Sequence, residues 1–210
     1  MPNWCNNTLI VRGDKTEMES FLRSIEVKPC NVDDPMDYDF SLLHPLPEDQ
    51  HENWYDWCNR NWGTKWSPAE VERVDAENNP YETMFEFQTP WCPATNLFKH
   101  ISKMFPQLAF YESGYESGVG FAVSSAIHKG EVLEELGFSY SDIEELAEYE
   151  KLMSAAEDAD DEEKAEEIRE DMEDHIHGLI QKDLNEVLEV LPKAIQSLIP
   201  KKVLAEMQSH

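Results

Sequence analysis

The chain has 210 residues, 40% of them hydrophobic, and carries 17 Lys plus Arg against 44 Asp plus Glu, a formal net charge of −27. That length supports one ordinary hydrophobic core and room for a smaller second unit, while the charge opposes generic binding to phosphate backbones and anionic membrane surfaces. Cys5, Cys30, Cys58 and Cys92 form no Cys-x-x-Cys pair, which fits reduced thiols in a cytoplasm better than a zinc site or a disulfide framework. The start shows no basic-then-apolar leader and no apolar stretch nears the roughly 20 residues that span a bilayer, so a cytoplasmic protein is expected.

Trp4, Asn6, Thr8, Ile10 and Arg12 alternate with Cys5, Asn7, Leu9 and Val11, which predicts a strand closed by a turn at Gly13 and Asp14. Thr16 and Glu19 have capping-box spacing, and Met18, Phe21, Leu22 and Ile25 then share a helical face. A second strand is expected over 38–43, stopped by Pro45 and Pro47. A Trp-rich insertion follows, with a short helix expected over 52–60. Trp54, Trp57, Trp62 and Trp66 lie within thirteen positions. Rings at that density either plug a core or line a groove, since each buries a large area and needs a partner for its indole N–H. Trp54, Trp57, Arg60, Trp62, Lys65 and Trp66 are the candidate aromatic groove. Residues 71–74 and 83–88 predict a strand pair turning at Asn78, Asn79 and Pro80. Pro93 opens a helix bearing Leu97, Phe98, Ile101 and Phe105. Strands over 108–111 and 119–127 complete the sheet, with Gly114 and Gly118 bracketing their turn. This element order approximates a β-α-β-β-α-β plan, so the expected fold class is α+β, a ferredoxin-like sandwich.

The opening residues Met1, Pro2, Asn3, Trp4, Cys5, Asn7, Leu9, Val11 and Gly13, together with Asn61, Trp62, Gly63, Thr64, Lys65 and Trp66, resemble the YubB-like ferredoxin-like family of plasmid and phage proteins over residues 1–128. The resemblance implies a ferredoxin-like sheet and an origin in a mobile genetic element. It carries no catalytic residue across.

Near Lys129 and Gly130 the composition changes. Up to residue 130 there are 20 acids against 10 bases; beyond it, 24 against 7, no Trp, and Leu, Ala and Glu dominant. That is helix-forming composition, and the expected division is a ferredoxin-like domain over 1–129 and an acidic all-helical unit over 130–210. Ile143, Leu146, Tyr149, Met153 and Ala156 have amphipathic spacing, as do Ala165, Ile168, Met172, Ile176 and Leu179. Asp160 and Glu163 fit a capping box for the second of these helices. Leu184, Val187, Leu188 and Leu191 suggest a third, stopped by Pro192, with short turns or helices over 194–198 and 203–207.

Between residues 157 and 174, twelve acids face only Lys164 and Arg169: Glu157, Asp158, Asp160, Asp161, Glu162, Glu163, Glu166, Glu167, Glu170, Asp171, Glu173 and Asp174. As a helix the run spans about 27 Å, one net negative charge per about 2.7 Å, comparable with the about 3.4 Å between phosphates of one DNA strand. The plain reading is the solvated side of amphipathic helices. The sharper reading is a carboxylate lattice that occupies a protein groove shaped for phosphates.

The expected function is a non-enzymatic phage or plasmid accessory protein that binds a host protein through those twelve residues. A basic, nucleic-acid-binding defence component is the candidate partner, which makes the protein a DNA-mimic anti-defence (anti-restriction or anti-CRISPR) inhibitor. One alternative is single-stranded nucleic-acid binding: Tyr81, Phe85 and Phe87 alternate on one strand, and Arg60 and Lys65 adjoin the tryptophans, although Glu82 and Glu86 interleave. The other is a small hydrolase or transferase with an unrecognised site. His44, Asp56 and Cys58 supply the residue types of base, orienter and nucleophile, but their spacing encodes no known arrangement. No cofactor and no metal are expected. His175 and His177 are two apart and point about 200° from each other on a helix, His51 before Glu52 lacks a second His, and Asp33, Asp34, Asp37 and Asp39 lack the glycine and closing glutamate of a calcium loop.

Overall fold

The computed structural model describes residues 3–27, 37–74, 79–159 and 161–207. In β1 (Trp4–Gly13), Cys5, Asn7, Leu9 and Val11 are buried on one face while Asn6, Thr8 and Ile10 are half-buried on the other. The helix α1 (Lys15–Ile25) follows, capped by Asp14, whose carboxylate accepts from the Thr16 and Glu17 backbone N–H groups at 2.9 Å each. An extended Asp one residue ahead of a helix reaches those orphan donors first, so the expected Thr16–Glu19 box is not the cap.

A two-residue ribbon pairs β2 (Glu26–Val27) with β3 (Asp37–Tyr38). The strand expected over 38–43 ends at Tyr38. Asp39 accepts from the Ser41 N–H at 2.8 Å and caps a 3-10 turn, Phe40–Leu43; that tight geometry turns Phe40 into the core and leaves Leu42 outside. A second 3-10 stretch, Glu48–Asn53, leads into α2 (Trp54–Asn61). The expected strand pair is β4 (Ala69–Arg73) with β5 (Glu82–Pro90), though Asn78 of its expected turn lies outside the described residues, as do Cys30, Asp33 and Asp34. After α3 (Thr95–Met104) come β6 (Leu108–Glu116), β7 (Phe121–His128) and β8 (Glu131–Ser139). Because β6 runs on to Glu116, Gly114 sits inside the strand opposite Asn7 and Val123 rather than at a turn.

The main sheet has six strands in the order β4-β5-β1-β6-β7-β8, with every neighbouring pair antiparallel. The compositional break near residue 130 is not a break in this sheet. Lys129 (φ 52°) and Gly130 (φ 85°) are the two left-handed residues of the hairpin joining β7 to β8, the conformation that a two-residue turn between right-twisted strands demands. The stretch expected to be all-helical therefore opens with a strand.

The remaining helices are α4 (Glu144–Asp158), α5 (Glu162–Leu188), α6 (Lys193–Gln196) and α7 (Lys201–Met207). The expected second and third tail helices are one, the 27 residues of α5. Gly178 is its one interior breaker and stands in open space; a mid-helix glycine costs about 1 kcal/mol relative to alanine, too little to end a helix packed along its length. Asp160 lies outside the described residues, and Asp161 caps α5 by accepting from the Lys164 N–H at 3.2 Å.

Two cores flank the sheet. On one side α1, α3 and the Phe40 turn enclose Leu9, Val11, Phe21, Phe85 and Phe110. On the other, Leu184, Val187, Leu191, Ile195, Ile199 and Met207 cover Ala109, Tyr111 and Ala126. The acidic segment thus supplies the third layer of an α+β structure.

Candidate functional site

The tryptophans divide between inside and outside. Trp62 is buried, its indole N–H donates to the His44 carbonyl at 2.9 Å, and Trp57 meets it edge-on at 5.4 Å. Beyond it Gly63 adopts φ 86°, which a side chain would strain, and the buried Thr64 hydroxyl donates to the Pro90 carbonyl at 2.9 Å. The chain then turns outward. Lys65 Nζ lies 5.1 Å from the Trp66 ring and 5.9 Å from that of Tyr55, within cation–π reach, and Trp66 meets Trp4 at 6.1 Å. Trp54 (40% exposed) and Tyr55 (52%) extend this surface, and Arg60 is exposed. The six residues expected to form one groove are therefore divided: Trp62 is buried with Trp57 against it, Trp54 and Arg60 are exposed, and Lys65 and Trp66 are half-buried.

A buried polar network holds this segment to the sheet. The Asn7 amide donates to the Cys5 carbonyl and to Thr89 Oγ1 at 2.8 Å each, and the Thr89 hydroxyl donates to the Cys92 carbonyl at 2.8 Å. Next to it Glu112 is fully buried and accepts from the Thr95 hydroxyl at 2.7 Å, with its other oxygen unpartnered among the described residues. Burial pushes its carboxyl from 4.5 up to about 7, against the pull of the Thr95 and Ala94 hydrogen bonds and with a further push from Glu135. Below pH 4.5 the folded and unfolded chains both hold this proton. Between 4.5 and about 7 the unfolded chain releases it first, so stability falls as pH rises through that window, by up to about 3 kcal/mol from this group. Glu112→Gln is expected to flatten that dependence, gaining stability over the parent at pH 8 but not at pH 4.5, as read by chemical denaturation at the two values.

The enzyme constellation does not assemble. Cys58 is buried in the core, with burial pushing its thiol up, and Asp56 is exposed. His44 stacks on His100 with ring centroids 3.7 Å apart, and burial, then His44 and Lys103, hold His100 below its usual range. No hydrogen bond joins His44, Asp56 and Cys58 among the described residues. Nor is there among those residues a group of three or more His, Cys, Asp or Glu placed to hold a metal, or a helix long and apolar enough to cross a membrane.

The acidic run has the clearest geometry. Ala156, Ala165 and Ile168 pack with Met153, and Leu146 packs with Ile176, so α4 and α5 run antiparallel. All the carboxylates of the run outside Asp160, namely Glu157, Asp158, Asp161, Glu162, Glu163, Glu166, Glu167, Glu170, Asp171, Glu173 and Asp174, are exposed. At about 100° per residue, those on α5 cover roughly half its circumference, opposite the stripe of Ala165, Ile168, Met172 and Ile176. Arg169 pairs with Glu166, the one ion pair on this surface among the described residues. Further along, Leu184 and Val187 fix α5 on the sheet, and the Tyr111 hydroxyl donates to the Val190 carbonyl at 3.4 Å.

Where α5 crosses the sheet it leaves the Asn6–Thr8 part of β1 and the adjoining parts of β5 and β4 open, and the step between them is a groove of about 660 Å³. Its floor holds Asn6, Glu72, Glu86 and Gln88; its wall holds His177 and Gln181. His177 Nε2 and the Tyr115 hydroxyl stand 3.2 Å apart at its rim. Sequence reasoning missed this groove, whose parts meet only through strand register.

No protein-family model matches the chain, and no curated protein does. Among solved structures, it is similar to a protein api92 from Yersinia pseudotuberculosis with family-model DUF1281, at a TM-score of 0.47 and 10% identity, with 66% of this chain and 99% of that chain covered. At that score and identity the likeness carries no argument about what the protein does.

Proposed function

We propose that the protein is a non-enzymatic binder whose carboxylate-covered α5 docks on a basic surface of a protein partner, of the kind that otherwise grips nucleic acid. The observation that carries this reading is the placement of the acidic run: exposed along the free side of one long helix whose far end is buried on the sheet. Self-repulsion of such a row lowers stability, a cost that a complementary cation row removes. An anti-defence role in a mobile element is the setting that the resemblance to plasmid and phage proteins suggests, and neutral buried thiols suit the cytoplasm. For the scaffold, the run β4-β5-β1-β6 with α1 and α3 as crossovers has the strand order of a ferredoxin-like sheet, with β7 and β8 added at one edge. That order supports the ferredoxin-like assignment.

The test is displacement of duplex DNA from a sequence-independent DNA-binding protein. The intact chain is expected to compete at 50 mM salt and to lose most of its effect by 200 mM, because exposed charges are screened beyond about 8 Å at physiological ionic strength. A variant with Glu162, Glu163, Glu166, Glu167, Glu170 and Asp171 changed to Gln or Asn is expected to compete at least tenfold more weakly. Equal competition by both would end the proposal. A second reading rests on Tyr55 and Trp66 beside Lys65, with Trp54 edge-on to Tyr55, a surface on which bases of a single strand can stack. Quenching of Trp fluorescence by a single-stranded oligonucleotide at low salt supports it, and no quenching removes it.

A further inference from the structure

Resting on the reading of α5 as a surface for a basic partner, we infer that the groove between α5 and the sheet takes an extended Lys- or Arg-bearing peptide segment of that partner. Three features point there. The first is an unneutralised like-charge pair. Register places Glu72 of β4 directly opposite Glu86 of β5, and like charges facing each other across strands destabilise a sheet by up to about 1 kcal/mol. A bulge between Ala69 and Glu72, with Glu70 at φ 53°, adds a third carboxylate to the same groove. None of the three has a hydrogen bond or ion pair among the described residues, whereas other polar pairs on this face of β1 and β5 are satisfied: Gln88, one rung from Glu86, donates to Asn6 at 3.2 Å, and Arg12, two rungs the other way, pairs with Glu82.

The second feature is continuity. At helical spacing, Glu162, Glu166, Glu170 and Glu173 share a side of α5 with His177 and Gln181, and the last two line the groove. The side of the helix that carries the row therefore continues into the cleft, where Glu70, Glu72 and Glu86 take up the negative charge. The third is the mixed lining: Ile10, Met84 and Leu184 lie among the carboxylates. Apolar wall beside acids suits a side chain with an aliphatic stem and a cationic head. A nucleic acid or a second copy of this chain, at net −27, is repelled.

The side-chain amides of Asn6, Gln88 and Gln181 report on the groove by NMR, and the backbone amides of Glu162, Glu166 and Glu170 report on the row. Titrating the full chain with capped tetralysine at low salt is expected to move both sets. Glu72→Gln with Glu86→Gln, which preserves shape and relieves the repulsion, is expected to weaken the groove response about fivefold while leaving the row response in place. If the row moves and the groove amides stay still, the groove inference falls and the proposed function stands. If neither set moves, both fall. Spermidine moving the groove amides as tightly as tetralysine overturns the peptide occupant.

Discussion

Phe40→Ala is expected to lower stability by about 3–5 kcal/mol, the range for truncating a buried aromatic ring. Phe40 belongs to a four-residue 3-10 turn that makes no strand pairing of its own, so its ring is the main tie between that turn and the fold. The ring is fully buried and lies 5.2–5.6 Å from those of Phe85, Phe87 and Phe98, with Phe21 stacked at 6.4 Å. Those rings come from β5, α3 and α1, three elements fixed by their own packing, so the cavity cannot close without moving one of them. Leu42 stands two residues along the same turn but half exposed, and Leu42→Ala is the matched control, within about 0.5 kcal/mol of the parent. Chemical denaturation reads both. A loss under 1 kcal/mol for Phe40→Ala would mean that the turn is not the plug of the core.

Val187→Asp is expected to cost at least about 4 kcal/mol, because it places an unpaired carboxylate at a fully buried position between α5 and the sheet. Its cluster is apolar, with Ala109, Ala126, Leu184 and Leu191, and Arg12, over the Tyr111 ring of the same cluster, is already paired with Glu82. The damage falls on one face of the sheet, since the phenylalanine core lies on the other. Unfolding is expected to begin with release of α5, seen as loss of helical circular dichroism at denaturant concentrations where Trp62, on the opposite face, keeps its buried fluorescence. A midpoint unchanged from the parent would contradict the docking of α5 on the sheet.

What could be read from the sequence was local. The alternation in β1 and the 3.6-residue spacing in α3 are periodicities of single elements, and both hold. The strand expected over 38–43 failed because Tyr38, Phe40 and Leu42 alternating with Asp39 and Ser41 is too short a pattern to separate a strand from a turn, and Asp39, capping through the Ser41 N–H, decides it for the turn. β8 was missed because Glu131, Val132, Leu133, Glu134, Glu135 and Leu136 do not alternate, as suits an edge strand guarded by charge; Lys129–Gly130 was the available signal. Helical spacing did not separate the aromatic residues: Tyr55 and Trp62 are seven apart and fall on one side, yet Trp62 is buried and Tyr55 is exposed, because α2 ends at Asn61. The groove was beyond reach of any local pattern, since Glu72 and Glu86 become neighbours only through the β4–β5 register.

Amide hydrogen exchange along α5 tests most directly whether the carboxylates stand in a fixed row. Protection is expected to run without interruption from Ala165 to Val187, strongest where the helix lies on the sheet and still well above the unfolded rate beside α4. Exchange at the unfolded rate between Ala165 and Ile176, with protection only from Leu184 onward, would show a row with no fixed spacing and would remove the basis for recognition by a basic partner.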